Sequence, residues 1–293
     1  MSGEAMPPDA IFSTLVSVQV LQTLLASGLP PVVLDTSFDL TDAAAGERAY
    51  LGAHLPGALY AHLDRDLCGE KTGRNGRHPL PDRAVFAATA GRFGITPTTQ
   101  VVVYDRQGAM FSARLWWMLR WLGHEAVAVL DGGFAAWQSV SGAVQGAAAS
   151  VKPQSAYPIG AEISPLVRTI DADTLQGQLG RIRLIDARAP ERFRGEVEPL
   201  DAQPGHIPGA SNRFFKDNLA ADGRFKRAEV LRAELLTLIG GRAASEVVHQ
   251  CGSGVTACHN LLAMAVAGID GAALFPGSWS EWSSDPSRPV ARG

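Results

Sequence analysis

The chain has 293 residues, of which 46% are hydrophobic and 19% charged, and its formal net charge is −3. This length suits two domains of ordinary size, and the small negative charge argues against a nucleic-acid-binding surface. The three cysteines, Cys68, Cys251 and Cys258, form no Cys-x-x-Cys pair, which argues against a disulfide framework and a thiolate zinc site. Composition therefore predicts a cytoplasmic protein that binds neither nucleic acid nor metal.

The N-terminal segment is predicted to be neither a signal peptide nor a membrane span. No Lys or Arg precedes Arg48, so the basic start of a signal peptide is missing. Residues 10–34 carry no charge, but polar side chains and the pair Pro30-Pro31 interrupt this segment. An amphipathic helix capped by Ser17 is predicted instead, with four apolar residues on one face: Val18, Leu21, Leu24 and Leu25.

One sequence pattern occurs twice in the chain. His54-Leu-Pro-Gly-Ala58 returns in the second half as His206-Ile-Pro-Gly-Ala210. Three further pairs of segments match in the same order: 32–35 with 183–186, 101–105 with 247–251, and 132–137 with 277–282. Chance similarity would not preserve this order, so the chain is predicted to be a tandem duplication.

Each half alternates strand and helix patterns. Short β-branched runs predict buried parallel strands at 32–34, 101–103, 184–185 and 247–248. Helices are predicted at 113–122, 228–238 and 257–267. This alternation predicts an α/β fold in which each half is a mainly parallel sheet flanked by helices. The domains are predicted at 1–140 and 166–293, with a linker rich in Ala, Gly, Ser and Pro at 141–165.

The segment 247–257 contains the most informative pattern. A predicted buried strand ends, Cys251 follows, and a Gly-rich turn leads into a helix. Backbone N–H groups at a helix N-terminus stabilise negative charge, so the pKa of the Cys251 thiol is expected to be lowered. Gly252 and Gly254 allow the backbone to curl around the sulfur.

Three chemistries are compatible with a Cys in such a loop. A cysteine phosphatase needs an Arg at the position that Ala257 occupies. A Gly-x-Gly-x-x-Ala dinucleotide-binding pattern is present at Gly252, Gly254 and Ala257, but it lies too near the chain end for the paired half of such a domain. Sulfur transfer through a persulfide needs a cradled Cys and no Arg, and the spacing favours it.

At this loop the chain resembles the two-domain rhodanese superfamily, and it is most similar to the 3-mercaptopyruvate sulfurtransferases. The resemblance rests on the 251–257 loop, the two His-[Leu/Ile]-Pro-Gly-Ala motifs and the segment 275–282, and it covers nearly the whole chain. It implies two tandem rhodanese-like domains, of which the first is a catalytically silent copy. Asp105, which stands opposite Cys251 in the repeat, fits that implication.

The resemblance also implies roles for individual residues. Cys251 is the expected nucleophile, and Ser253, His78 and Asp64 are the expected proton relay that protonates the enolate left by mercaptopyruvate. Arginines hold the donor carboxylate in this family, and here Arg192 and Arg188 are the candidates. The other loop residues expected at the donor site are Gly252, Gly254, Val255 and Thr256. Ser253 could alternatively cap the next turn, and His78 could be an ordinary loop residue.

One departure from the family pattern leaves the donor open. A second arginine is expected after Glu198-Pro199, where this chain has Leu200. Thiosulfate:cyanide sulfurtransferase is therefore an alternative, although the Arg and Lys that follow the Cys in thiosulfate-specific relatives are Gly252 and Ser253 here. A non-catalytic binding module is a further alternative. The expected partners are a small anionic sulfur donor and a cyanide, dithiol or thioredoxin-like acceptor, with no cofactor and no membrane.

Overall fold

The first half of the chain forms a five-stranded parallel sheet. The computed structural model describes residues 11–160 and 163–293. The strands are β1 (Leu15–Val16), β2 (Val32–Asp35), β3 (Leu59–Tyr60), β4 (Val101–Tyr104) and β5 (Val127–Leu130). Their order across the sheet is β1-β5-β4-β2-β3, and the two strands rich in valine, β4 and β5, are buried throughout.

The second half repeats this sheet. Its strands are β6 (Arg168–Thr169), β7 (Arg183–Asp186), β8 (Ser211–Asn212), β9 (Val247–Gln250) and β10 (Ala273–Leu274). Their order is β6-β10-β9-β7-β8, so each strand occupies the place of its counterpart in the first sheet. All neighbouring pairs are parallel. The predictions of an α/β fold and of a tandem duplication are confirmed.

Helices connect the strands and cover the sheets. The first half contains α1 (Val18–Leu25), α2 (Ala45–Gly52), α3 (Leu63–Asp66), α4 (Arg83–Arg92), α5 (Ser112–Trp121) and α6 (Gly133–Ser139). The second contains α7 (Ala172–Gly177), α8 (Pro190–Arg194), α9 (Ala228–Ile239), α10 (Thr256–Val266) and α11 (Ser278–Trp282). Four helices were predicted from sequence, and three of them, α5, α9 and α10, lie within one residue of their predicted bounds at either end. Ser17 caps α1 as predicted, since its side chain accepts a hydrogen bond from the Val20 N–H.

The two halves share one hydrophobic core. Helix α5 of the first half packs against α10 of the second, and Trp116 and Trp117 of α5 are almost fully buried. Leu262 and Met264 of α10 belong to the same core. Burial of two indole rings at this junction favours a fixed arrangement of the halves, because aromatic side chains contribute large apolar areas.

The predicted linker follows the surface of the first half. The Gln145 backbone pairs with that of His54, and the Tyr157 N–H donates to the Ala87 carbonyl while its ring is buried. His206 forms the matching bridge with Ala291 near the end of the chain, so residues around 145 belong to the repeated unit. Within the described ranges, none of the helices has the length and apolar character needed to cross a membrane.

Candidate active site

Cys251 lies in the tight turn between β9 and α10. Its side chain is 1% exposed, and its N–H donates to Ser278 Oγ over 3.1 Å. Gly254 has φ +76°, and a Cβ on it would collide with the Pro276 carbonyl, so only glycine permits this turn. The predicted strand, glycine turn and helix around Cys251 are all present.

The backbone N–H groups beside Cys251 are free to bind an anion. Those of residues 252–256 donate no hydrogen bond to any residue in the described part of the chain. They lie at the N-terminus of α10, where the helix dipole adds to their positive potential. A thiolate or persulfide on Cys251 would therefore be stabilised by this turn.

Ser253 and His78 form a hydrogen-bonded pair behind the turn. His78 Nδ1 lies 2.7 Å from Ser253 Oγ, and His78 Nε2 lies 3.9 Å from Asp64 Oδ1. Asp64 also accepts a hydrogen bond from Lys71 Nζ over 2.7 Å. Burial lowers the pKa of His78 to about 3, so the imidazole is neutral at pH 7. The structure thus brings together Ser253, His78 and Asp64, whose roles in proton transfer stay predictions.

Arg114 links the two halves at this pair, and it was not found from the sequence. Its guanidinium is fully buried and donates to the Gly254 carbonyl over 3.0 Å and to the His78 carbonyl over 3.1 Å. It thereby fixes the Cys251 turn and His78 relative to each other. The available signal was a charged residue inside the otherwise apolar helix α5, but nothing in the sequence named its partners.

Arg192 and Arg188 both lie beside the Cys251 turn, and they differ in exposure and in hydrogen-bond partners. Arg192 Nη2 donates to Glu198 Oε1 over 2.6 Å and to Asp201 Oδ2 over 3.1 Å, and its side chain is 18% exposed. Arg188 is buried, and its guanidinium donates to Asp186, the Gly205 carbonyl and Glu198. These groups already engage Arg188, so its predicted contact with a donor stays a prediction.

A cavity of about 150 Å³ opens above Cys251 between the two halves. Leu40, Met110 and Phe111 contribute to its wall from the first half. The residues of the predicted site that line it are Cys251, Gly252, Ser253, Val255, Thr256, Arg188 and Arg192, whereas Gly254, His78 and Asp64 do not line it. The volume suits a small molecule. A proton from His78 would reach the cavity through Ser253.

Arg77 also lines this cavity and was missed from the sequence. It comes from the loop before His78 and forms an ion pair with Asp201 of the second half. Leu200 does not enter the cavity wall; its side chain is 42% exposed. The position where the family pattern expects a second arginine therefore contributes no charge here.

The two other cysteines differ from Cys251 in their surroundings. Burial raises the pKa of Cys68 to about 11 and that of Cys258 to about 12. Both thiols are therefore protonated at neutral pH, and neither lines the cavity. Cys251 is the cysteine that combines cavity access with free backbone N–H groups.

Comparison with known proteins assigns the chain to one class. The rhodanese-like domain family matches residues 17–140 and 171–285. The chain therefore belongs to this family, and the resemblance inferred from its motifs is confirmed.

The similar proteins are sulfurtransferases by name. A probable 3-mercaptopyruvate sulfurtransferase of Pseudomonas aeruginosa is 48% identical over 266 residues, which cover 89% of this chain and 92% of the relative. A putative thiosulfate sulfurtransferase, SseB, of Mycobacterium tuberculosis is 43% identical over 289 residues, covering 95% and 97%. The solved structure of 3-mercaptopyruvate sulfurtransferase from Leishmania major superposes with a TM-score of 0.80 at 29% identity, covering 92% of this chain and 74% of that one.

Proposed function

We propose that this protein is a sulfurtransferase that moves sulfur from 3-mercaptopyruvate to a thiophilic acceptor through a persulfide on Cys251. The observation that carries the proposal is the placement of Cys251 at the base of a small cavity, between free backbone N–H groups and the Ser253–His78 pair. Cys251 would supply the nucleophile, the free N–H groups would bind its anionic product, and the Ser253–His78 pair would move a proton. The P. aeruginosa relative named for this activity supports the choice of donor.

In the first step the Cys251 thiolate attacks the sulfur of the donor. A new S–S bond forms, the donor's C–S bond breaks, and its electron pair becomes the enolate of pyruvate. The thiol proton of the donor passes to the Ser253–His78 pair and returns to the enolate carbon. The products are the Cys251 persulfide anion and pyruvate, so atoms and charge balance. Because burial makes the imidazole of His78 resist protonation, His78 would share its hydrogen bond with Ser253 while the proton passes through the Ser253 hydroxyl, and Asp64 Oδ1 lies 3.9 Å from His78 Nε2.

In the second step an acceptor removes the outer sulfur. Cyanide attacks it, the S–S bond breaks with its electrons returning to Cys251, and thiocyanate leaves. In the cell, we propose a dithiol or a thioredoxin-like protein as the acceptor. We propose that the reaction takes place in the cytoplasm. Arg192 would orient the anionic donor, while Arg188 would act through Glu198.

Thiosulfate is the second candidate donor. The relative named SseB favours it, and so does the cationic rim that Arg77 and Arg192 give the cavity. Sulfite carries two negative charges as it leaves, however, and the turn at 252–257 contains no Lys or Arg to stabilise them. The Ser253–His78 pair would have no proton to deliver in that reaction, so 3-mercaptopyruvate is preferred.

Two measurements test the proposal. Treatment with 3-mercaptopyruvate should raise the intact mass by one sulfur, about 32 Da, and Cys251→Ser should abolish this gain. The ratio kcat/KM should favour 3-mercaptopyruvate over thiosulfate at least about tenfold, which corresponds to about 1.4 kcal/mol. An absent adduct with both donors would contradict the enzyme proposal, and a preference for thiosulfate would contradict the proposed donor.

A further inference from the structure

Arg77 and Arg192 place two guanidinium groups over the residue that follows the nucleophile. A Cβ on Gly252 would lie 2.9 Å from Arg77 Nη2 and 3.5 Å from Arg192 Nη1. Neither nitrogen donates a hydrogen bond to a residue within 11–160 or 163–293. Two uncommitted N–H donors from opposite halves of the chain therefore meet beside Cys251.

Asp201 holds these two side chains together from the other side. Its Oδ1 pairs with Arg77 Nη1 and its Oδ2 with Arg192 Nη2, the latter over 3.1 Å. The Asp201 side chain is only 2% exposed, so this is an internal bridge rather than a surface ion pair. The bridge uses Arg77 Nη1 and Arg192 Nη2, and it leaves Arg77 Nη2 and Arg192 Nη1 available to a ligand.

The loop that carries Arg77 is attached to the second half. The Arg77 N–H donates to Ser280 Oγ over 3.0 Å. Gly76 has φ +86°, and a Cβ on it would lie 2.7 Å from the Gly277 carbonyl, so the loop approaches that turn more closely than a larger residue allows. Burial, followed by repulsion from Arg192, lowers the pKa of Arg77, while Cys251 acts in the opposite direction. Arg77 is thus within electrostatic range of both Arg192 and the nucleophile.

We propose that Arg77 is the second guanidinium of the donor site, supplied by the half that lacks the nucleophile, and that it binds the donor's carboxylate together with Arg192. Arg77 would then bind the donor carboxylate in place of the arginine that the family pattern expects at the position of Leu200. Two guanidinium groups fixed about one point select a small carboxylate whose reactive atom lies a few bonds away, since each offers a directed, charge-assisted hydrogen bond. The inference rests on the proposed function only in taking that carboxylate to belong to a sulfur donor.

The first test measures anion selectivity at Cys251 without any sulfur transfer. Iodoacetate and iodoacetamide alkylate thiolates and differ in carrying a carboxylate or a neutral amide. We expect Arg77→Gln to lower the ratio of the iodoacetate rate to the iodoacetamide rate at Cys251 about tenfold, as loss of one charge-assisted contact should. Mass spectrometry of the Cys251 peptide separates this reaction from alkylation of Cys68. Arg74→Gln is the matched control, because Arg74 is an exposed arginine of the same loop.

The result is decisive in either direction. A selective loss of iodoacetate reactivity supports the proposal, and Arg192→Gln should produce the same loss. An unchanged ratio, or an equal loss with both reagents, would overturn it, since equal losses indicate a disturbed turn. In steady-state assays Arg77→Gln should raise KM for 3-mercaptopyruvate about tenfold and change kcat less than threefold. Selectivity that depends on Arg77 in a protein that forms no persulfide would refute the proposed function and leave this inference standing.

Discussion

The two halves share one strand order and differ at the end of the central strand. Asp105 follows β4, and its carboxylate accepts hydrogen bonds from the N–H groups of Gln107, Ala109, Phe111 and Ser112. Cys251 follows β9, and the N–H groups of its turn have no acceptor among the described residues. The comparison teaches that both turns are built to hold an anion. The first half fills its turn with a fixed carboxyl group, whereas the second leaves its turn open beside the sulfur of Cys251.

The first half nevertheless contributes side chains to the site around Cys251. It supplies His78 and Asp64 to the candidate proton relay, and Arg114 fixes the Cys251 turn. The second half supplies the nucleophile, its turn and Arg192. Four predictions test this division of roles between the two halves.

The largest expected effect comes from giving the second half the residue of the first. Cys251→Asp should lower kcat/KM by at least about 10³-fold, because the nucleophile is removed. The carboxylate that this substitution introduces can accept hydrogen bonds from the free N–H groups of the turn, so Tm should not fall. Activity assays and thermal unfolding measure both effects, with Cys68→Ser as the control. A Cys251→Asp protein with a substantially lowered Tm would show that the two turns are not equivalent.

Removal of the carboxylate from the turn of the first half should lower stability rather than activity. Asp105→Ala removes the acceptor of four N–H groups and should lower the free energy of unfolding by about 3 kcal/mol. Urea unfolding measures the loss, and the exposed Asp222→Ala serves as the control. Protein that remains folded should still form the Cys251 persulfide. A loss below about 1 kcal/mol would mean that the carboxylate does not hold this turn.

Removing the relay should separate the two donors. Ser253→Ala or His78→Gln should lower kcat for 3-mercaptopyruvate about 10²-fold, since the enolate then lacks a proton source. Transfer from thiosulfate should change less than threefold, because sulfite leaves without a proton. Parallel steady-state assays with cyanide as acceptor measure both values. An equal loss with both donors would assign the pair a structural role.

The smallest effect concerns pH. Burial lowers the pKa of His78, His249 and His259 to about 3 in the folded state, from an ordinary value near 6.5. Their contribution to stability is complete above pH 6.5 and is lost as the pH falls towards 3, because the unfolded chain takes up protons that the folded chain refuses. Each histidine should contribute a slope of at most about 1.4 kcal/mol per pH unit. Urea unfolding between pH 7 and 5 measures the slope, which His78→Gln should reduce. An unchanged slope in that variant would show that folding does not lower the pKa of His78.

Local pattern explains which parts of the structure could be predicted. Helices α5, α9 and α10 and the strands beside them follow from hydrophobic runs and turn residues, because these act over a few positions. The Cys251 turn follows from its two glycines for the same reason. Ser253, His78 and Asp64 came from family resemblance, since no local rule joins residues so far apart in the chain.

Arg77 and Arg114 lay beyond such reasoning because their partners are set by how the two halves pack. Arg77 meets Asp201, and Arg114 meets Gly254, each across the junction of the halves. The sequence did not reveal either pairing. Arg188 shows the opposite problem: its position was predicted, but the carboxylate of Asp186 already engages it. Whether it also touches a donor stays a prediction.

The buried guanidinium of Arg114 has a consequence for how this architecture can evolve. The first half, which carries Asp105 at the place of Cys251, fastens the turn that bears the nucleophile, so deletion of the first half would remove that contact. A gene fragment encoding residues 166–293 would keep its cysteine and lose the side chain that secures the Gly254 carbonyl. We therefore expect the two halves to be retained together, because a side chain of one secures the reactive turn of the other.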